Sequence, residues 1–551
     1  MKPMRRYSTR EAVDFAVIGA GAAGGVVASE LAKAGFSTVV LEQGPWLQQK
    51  DFAHDELAVM QRSLYINDHR KQPNTFRRRP EEQAKVQPAI EYARMVGGGS
   101  VHFTANYWRF HPNDFRERSL FGGVPGADLR DWPIPYDELE PYYTRAEWEL
   151  GIAGQAGANP FDGPRSKPYP LPPLPVKSSG VLLDRAAKKL GLHSYPAPMA
   201  ILSQPYRGRA ACSECGYCEA FGCEMGAKSS TLAALIPGAV ATGNCEIRPH
   251  SYVQRIETGA DGRVNGVLYC DARRRTLRQR AKAVVVCANG AETPRLLLLS
   301  ASKQHPQGLA NGNGLVGKYL MFDTGIFVHG VFAKPLNEYK GAVVSRVIQD
   351  YYAADPKRGF YGGAGLDARY DLYPMTFALD GMPKDEPQWG AEWKKNIGYR
   401  YTRMMGILAH LSCLAVERNS ISLDPEVKDA WGLPAIRVTF ENHADDLKNM
   451  QWAADRSKEV LDAAGAEKIW QDKVASMTYS LHLMGTCRMG DDPRHSVVNR
   501  WHRSHDVKNL FLVDGSSLVT CGRQQPTATI QALAFRAAEH MAKAARNGEL
   551  A

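Results

Sequence analysis

Four cysteines stand close together in the run Cys212-Ser-Glu-Cys215-Gly-Tyr-Cys218-Glu-Ala-Phe-Gly-Cys223. Thiolates are soft metal ligands. Zinc sites usually draw on two ligand pairs a dozen or more residues apart, whereas intervals compressed to two, two and four residues resemble the runs that wrap iron–sulfur clusters. The spacing favours an iron–sulfur centre, 4Fe–4S if all four ligate or 3Fe–4S if three do. Zinc and unligated thiols remain the alternatives. Cys245, Cys270, Cys287, Cys413, Cys487 and Cys521 are isolated and read as buried small hydrophobes.

A second chemistry is written in glycines. Gly19, Gly21 and Gly24 form GxGxxG: the first permits a tight turn, the second lets backbone approach a pyrophosphate, and the third lets a helix lie close on a sheet. Glu42 follows at about the twenty-residue offset where a carboxylate accepts hydrogen bonds from an adenosine ribose. A dinucleotide is expected, NAD or FAD. Gly97, Gly98 and Gly99 form another cluster, where backbone can pass against a flat ring or a phosphate with no Cβ in the way.

These residues need a scaffold, and the flanking patterns supply one. Phe15 to Ile18 reads as a buried strand, Val26 to Ala34 as a helix and Ser37 to Leu41 as a second strand, making a βαβ unit. Cys245 to Val253 and Arg263 to Tyr269 read as strands. Ala283 to Cys287 reads as another buried strand that breaks at Asn289-Gly290, with a helix starting at Pro294. Leu510 to Val513 is a last buried strand, and a closing helix follows Pro526. Between them, from about Phe322 to Pro434, alternating segments such as Gly325 to Phe332 and Ile407 to Val416 suggest an antiparallel sheet. The polar, arginine-rich residues 48–90 carry few core signals and read as an excursion over the cofactor or a lid. The fold expected is α/β: a Rossmann-like nucleotide-binding domain over 10–320 and 475–551, with a cysteine-rich insertion near 205–228, and an antiparallel-sheet substrate domain over 321–474.

A chain of 551 residues is long enough for two such domains. The net charge of +10 would suit an acidic partner, but the basic residues are dispersed and the densest run, Arg77 to Arg79, is short, so nucleic-acid binding is not expected. Arg5 and Arg6 precede an apolar run that carries the phosphate-loop glycines and is interrupted by Glu11 and Asp14, which speaks against a cleavable signal. No stretch reaches the roughly eighteen apolar residues that a spanning helix requires. The expectation is a cytoplasmic protein if alone, with a periplasmic or membrane-associated location only through a partner.

Taken together, the N-terminal βαβ, the Gly97 to Gly99 loop, Asn289 to Leu299, Leu423-Asp424-Pro425, His482 to Met489 and Asp514 to Ala534 resemble the glucose-methanol-choline (GMC) oxidoreductases nearly end to end. The resemblance implies a pyranose-oxidase-like fold, an FAD cofactor and oxidation of an alcohol. It implies a pyrophosphate over Gly19 to Gly24 and a ribose at Glu42. It implies Gly97 to Ser100 and on to Asn106 beside the flavin, Val253 near the adenine, and Asp514 and Gly515 near the ribityl chain. His482 stands where the family keeps its base, the group that removes the hydroxyl proton as hydride leaves for flavin N5. The second polar position, usually histidine or asparagine, falls on Gln525, which donates a hydrogen bond but is no base at neutral pH. A single-base mechanism is therefore expected, with Gln525 positioning the substrate oxygen.

Ser100-Val101-His102-Phe103 is similar to the loop that holds flavin covalently in pyranose oxidases; a noncovalent contact at His102 is expected, with covalent attachment the alternative. The cysteine run resembles that of the large FAD subunit of bacterial sugar (glucose or glycoside 3-) dehydrogenases. That resemblance implies electron exit through an iron–sulfur cluster, a c-type cytochrome, and a small companion subunit. The expected function is an FAD-dependent dehydrogenase of a sugar or glycoside. An oxygen-using oxidase and a noncatalytic flavin electron-transfer subunit are the rivals.

Overall fold

A computed structural model describes residues 4–61 and 64–550. Five parallel strands form its central sheet in the order Cys245–Arg248, Thr38–Leu41, Val13–Ile18, Thr276–Val286, Leu510–Leu512. Val17 pairs with Val40 on one side and Val285 on the other. Both faces of this sheet are covered, which is why VDFAVI, TVVL and LFL are almost unbroken apolar runs. The first half of Thr276–Val286 instead runs antiparallel to Val264–Cys270, which pairs in turn with Tyr252–Thr258. Helix Ala22–Lys33 packs against the closing helix Thr527–Arg546.

A six-stranded antiparallel sheet has the order Lys468–Gln471, Thr324–Val331, Met404–Leu411, Ala364–Arg369, Val344–Ile348, Ser194–Pro196. Residues 321–474 supply five of these strands, and Ser194–Pro196 adds the edge. Its two faces differ sharply. Ile326, Val328, Leu366, Ala368, Ile407 and Ala409 point to one face and form an apolar cluster with helix Ala444–Ala464. The alternate positions Gly325, Phe327, Arg369, Leu408 and His410 point to the other, which walls a cavity.

Residues 48–90 are tied into the core of the fold more than their composition suggests. Asn74–Arg77 pairs in parallel with Pro434–Thr439, with Ile436 opposite Asn74.

The helix expected to start at Pro294 starts earlier and runs Asn289–Leu299 with the proline inside it. Proline lacks the N–H that would bond the carbonyl four residues back, here that of Gly290. The Thr486 hydroxyl donates to Gly290 O at 2.7 Å in its place. A Cβ on Gly290 would lie 2.1 Å from Leu483 O, so only glycine lets the His482 segment sit this close to the helix.

Candidate active site

A cavity of about 610 Å³ opens at the carboxyl ends of the parallel strands and is closed opposite by the polar face of the antiparallel sheet. Ile18-Gly19, Leu41-Glu42, Cys287-Ala288 and Asp514 stand on its wall, each just past a strand end. Crevices outside the carboxyl ends of such strands are where open α/β sheets bind ligands.

The nucleotide half is shaped by glycine. Gly19 has φ +93°, and a Cβ there would lie 2.4 Å from Cys287 O. A Cβ on Gly98 would lie 2.5 Å from the Gly21 Cα, so the two glycine loops touch backbone to backbone. On Gly24 a Cβ would lie 2.0 Å from Gly19 O; this residue packs the helix onto the turn and does not face the cavity. Gly97 likewise lies behind the wall, with φ +98° and its own carbonyl accepting from the Ser100 hydroxyl at 2.7 Å. Glu42 accepts the Ala20 and Gly44 amides at 2.9 Å each, so it braces the phosphate loop from the cavity wall. Burial pushes its carboxyl up to about 7 against those bonds. Asp514, pushed up by burial, accepts from Ser516 N at 2.8 Å, Asn289 N at 3.1 Å and the Thr293 hydroxyl at 2.6 Å. Gly515 and Val253 complete this part of the wall. The bare backbones, the helix N-terminus behind them and the carboxylate at the second strand fit a dinucleotide.

The other half brings together residues that are distant in sequence. His482 Nδ1 lies 2.7 Å from Asp323 Oδ2. Donation from Nδ1 to that carboxylate leaves Nε2 with a free lone pair, on a ring that is about one-third exposed toward the cavity (34%). Gln525 is on the same wall, its Nε2 near the His410 ring and its Oε1 buried without a partner. His102 also faces the cavity; burial, then the Lys228 charge, lowers its pKa to about 4, so its imidazole is neutral. Asn106 is buried behind the wall, with Nδ2 donating to Asp367 Oδ2 at 3.3 Å.

Several residues here escaped the sequence reading: Asp323, Asp367, Arg369, His410 and Glu219. The signal for three of them was present. Asp367-Ala-Arg369 and Leu408-Ala-His410 alternate polar or large residues with small apolar ones, the pattern of a two-faced strand.

The cysteine run borders this half, since Glu219 and Ala220 stand on the cavity wall. The Lys228 ammonium is buried beneath it and donates to Cys218 O and Phe221 O at 2.7 Å and to Phe103 O at 2.9 Å, tying the run to the His102 loop. Cys215 is exposed, Cys218 buried, and Cys212 and Cys223 half-buried, all as free thiols. Burial pushes Cys212 and Cys218 up to about 12. Among the described residues no three His, Cys, Asp or Glu side chains are grouped so as to hold a metal ion. As arranged, the four thiols do not form a ligand set.

Two family models, both described as GMC oxidoreductase, match residues 13–323 and 415–534. The 2-methyl-1,2-propanediol dehydrogenase of Mycolicibacterium austroafricanum is 36% identical over 97% of this chain and 96% of its own. The fructose dehydrogenase large subunit of Gluconobacter japonicus is 30% identical over 96% of this chain and 97% of its own. Among solved structures, pyridoxine 4-oxidase from Mesorbium loti superposes with a TM-score of 0.64 at 18% identity, covering 96% of this chain and 98% of its own.

Proposed function

Because the chain belongs to the GMC oxidoreductases, FAD-dependent enzymes acting on CH–OH groups, we propose that it is a dehydrogenase of a sugar, glycoside or related polyol in which His482 takes the hydroxyl proton. The observation that carries this reading is the His482–Asp323 pair on the wall of the glycine-cradled cavity. When bound, FAD supplies the hydride acceptor at N5. The chain supplies the rest: Asp323 fixes the His482 tautomer, Nε2 accepts the proton, and Gln525 orients the oxygen.

For the cofactor, we assign the pyrophosphate to Gly19, Gly21 and Gly24 and the adenosine ribose to Glu42. Val253 is assigned to the adenine, Asp514 and Gly515 to the ribityl chain, and Gly97 to Ser100 with His102 and Asn106 to the flavin side. All of these but Gly24, Gly97 and Asn106 stand on the cavity wall; Gly24 packs on Gly19, Gly97 accepts from Ser100, and Asn106 donates to Asp367 behind the wall. A neutral His102 retains the lone pair needed for a covalent flavin link; denaturation with retention of yellow colour tests it.

The substrate half of the wall carries Asp323 and Asp371, with Glu219 pushed up to about 7 by burial, against Arg369, which Asp367 already engages. Carboxylates accept from adjacent hydroxyls, and their excess opposes an acidic substrate. The relatives named for a diol and for fructose agree with a neutral polyol, whereas one named for gluconate, 29% identical over 96% of this chain, does not. An anaerobic screen of neutral, acidic and amino sugars for flavin bleaching, with product regiochemistry by NMR, tests this assignment. Bleaching by sugar acids alone would overturn the charge argument.

For the electron exit, the proposal is that Cys212, Cys215, Cys218 and Cys223 would hold an iron–sulfur cluster only after drawing together, a reading that rests on their spacing alone. The proposed partners are a small companion subunit and a c-type cytochrome; that the fructose dehydrogenase relative is a large subunit supports the first. Among the described residues no helix is long and apolar enough to cross a membrane. A second reading is an oxidase that passes electrons to oxygen. Iron and acid-labile sulfide in the purified protein, with dye-linked turnover exceeding oxygen-linked turnover, would support the first; their absence with rapid peroxide formation would support the second.

A further inference from the structure

The six-stranded sheet offers the cavity two charged groups whose hydrogen-bonding capacity is not used up. Asp367 engages one edge of the Arg369 guanidinium: Nε donates to Oδ1 at 2.6 Å and Nη2 donates to Oδ2. Asp367 is fully buried and also accepts from Asn106 Nδ2 at 3.3 Å, so Arg369 is held from behind. The other terminal nitrogen of Arg369, Nη1, makes no hydrogen bond among the described residues. Asp371, two residues past the strand Ala364–Arg369, makes none through its carboxylate either, and its side chain is 18% exposed. Its Oδ2 lies 3.6 Å from Arg369 Nη1, beyond the about 2.7–3.2 Å of an N–H···O bond. A donor and an acceptor thus stand side by side on the cavity wall, neither spent on the other.

An aromatic ring completes the arrangement. Phe327 is half-buried on the same wall, and the guanidinium carbon of Arg369 lies 6.0 Å from its ring centroid. The residue directly opposite Arg369 in the sheet is Gly406, which pairs on its other side with His329. A Cβ on Gly406 would lie 3.7 Å from a Phe327 ring atom, so the missing side chain leaves the guanidinium and the ring facing each other across a gap. The group is also close to the reacting centre. Arg369 Nη2 is 3.4 Å from His410 Nε2, and Gln525 Nε2 is 3.0 Å from that same atom. One imidazole therefore separates the guanidinium from the residue proposed to orient the reacting oxygen.

We infer that Phe327, Arg369 and Asp371 form a subsite for a vicinal pair of hydroxyls on a ring sugar, apart from the hydroxyl that is oxidised. The inference rests on the reading of the cavity as a site of alcohol oxidation. A hydroxyl both donates and accepts. One oxygen of the pair accepts from Arg369 Nη1, and its neighbour donates to the Asp371 carboxylate. The C–H face of the sugar ring lies against Phe327, which offers apolar area there. A small diol has a single hydroxyl left once the other meets His482, so it cannot fill the pair. A sugar acid is opposed, because the Asp371 carboxylate stands beside the nitrogen that would hold its charge.

The test is calorimetric titration of the FAD-loaded protein after reduction with dithionite, a state in which the flavin takes no further hydride and binding is read without turnover. The probes are methyl β-D-glucopyranoside, D-fructose, 2-methyl-1,2-propanediol and D-gluconate. At least one ring sugar is expected to bind about tenfold or more tighter than the small diol. Asp371→Ala and Phe327→Leu are each expected to weaken that sugar about ten- to hundredfold while moving the small diol less than about threefold. Arg369 is left in place because it braces Asp367. A role of the two residues in folding alone would leave the selectivity between sugar and diol intact. Ring sugars that bind no tighter than the diol, wild-type sugar affinity in either variant, or gluconate binding tighter than both neutral sugars overturns the subsite. Anaerobic mixing of the same sugars with the oxidised protein separates the two readings. Flavin bleaching with sugar affinity unchanged in either variant removes the subsite and leaves alcohol oxidation standing. Sugar affinity that falls in both variants, with no bleaching in the wild type, leaves the subsite standing and removes the oxidation.

Discussion

His482 Nδ1 and Asp323 Oδ2 lie 2.7 Å apart, with the ring of His482 facing the cavity and Asp323 at the junction where strand Met321–Phe322 leads into Thr324–Val331. The residue proposed to take the proton thus comes from the C-terminal segment, and the residue proposed to orient it comes from the entrance to the antiparallel sheet. Replacing His482 by Ala removes the base and should slow flavin reduction by about 10²- to 10⁴-fold. Asp323→Asn keeps the shape but loses the charge that fixes the tautomer, and should cost about 10- to 10³-fold with FAD content unchanged. Anaerobic stopped-flow reduction reads both. Unchanged bleaching in His482→Ala would remove this residue from the mechanism.

A proline-bearing helix gives a stability prediction. Thr486→Val removes the hydroxyl that satisfies Gly290 O and leaves a buried carbonyl without a partner, at a cost of about 1–3 kcal/mol. Thr486→Ser should recover most of it. Urea unfolding of the three proteins reads the difference, and equal stability of Val and Ser variants would show that the hydroxyl does not compensate Pro294.

The same helix shows what sequence can and cannot reveal. Residues 19–24 were legible because each glycine answers a local demand: Gly19 a positive φ, Gly24 a contact with Gly19 O. The start of helix Asn289–Leu299 was not, since the group that tolerates Pro294 arrives 196 residues after Gly290. Asn74–Arg77 looked coreless because its partner strand, Pro434–Thr439, is equally remote. His482 is singled out by its motif, yet its partner Asp323 has no motif of its own. His410 and Asp367 lie on a period-two pattern that is visible in the sequence. That period cannot say whether the polar face meets solvent or a buried cavity.

A buried histidine predicts a pH effect of known sign. His502 is fully buried, its Nδ1 bonded to Leu512 O at 3.0 Å, and burial, then Arg536, lowers its pKa to about 3. The unfolded chain takes up a proton at this site below about 6.5, whereas the folded chain does not until about 3. The folded state therefore loses stability at this site as pH falls from about 6.5, by at most about 1.4 kcal/mol per pH unit. His502→Asn lacks that loss, so the stability advantage of wild type over the variant should be largest at pH 7 and shrink at pH 5.5 and 4.5. Measuring the pair cancels the other titrating groups; a gap that is constant with pH would mean that His502 takes up its proton equally in the folded and unfolded chain.

Gly98 and Gly99 separate a structural glycine from one kept clear for a ligand. A Cβ on Gly98 would strike the Gly21 Cα at 2.5 Å, at φ +55°, so Gly98→Ala should disturb the protein with or without cofactor. A Cβ on Gly99 meets no protein atom within 4 Å and projects from an exposed position on the cavity wall. Any penalty there must come from what occupies the cavity. Gly99→Ala should leave the melting temperature of the apoprotein unchanged while weakening FAD retention by about tenfold or more, equivalent to about 1.4 kcal/mol. Apoprotein melting curves and fluorescence titration with FAD read the two quantities separately. Wild-type FAD affinity in Gly99→Ala would move the flavin away from this wall, and a lowered apoprotein melting temperature would show that Gly99 serves the fold.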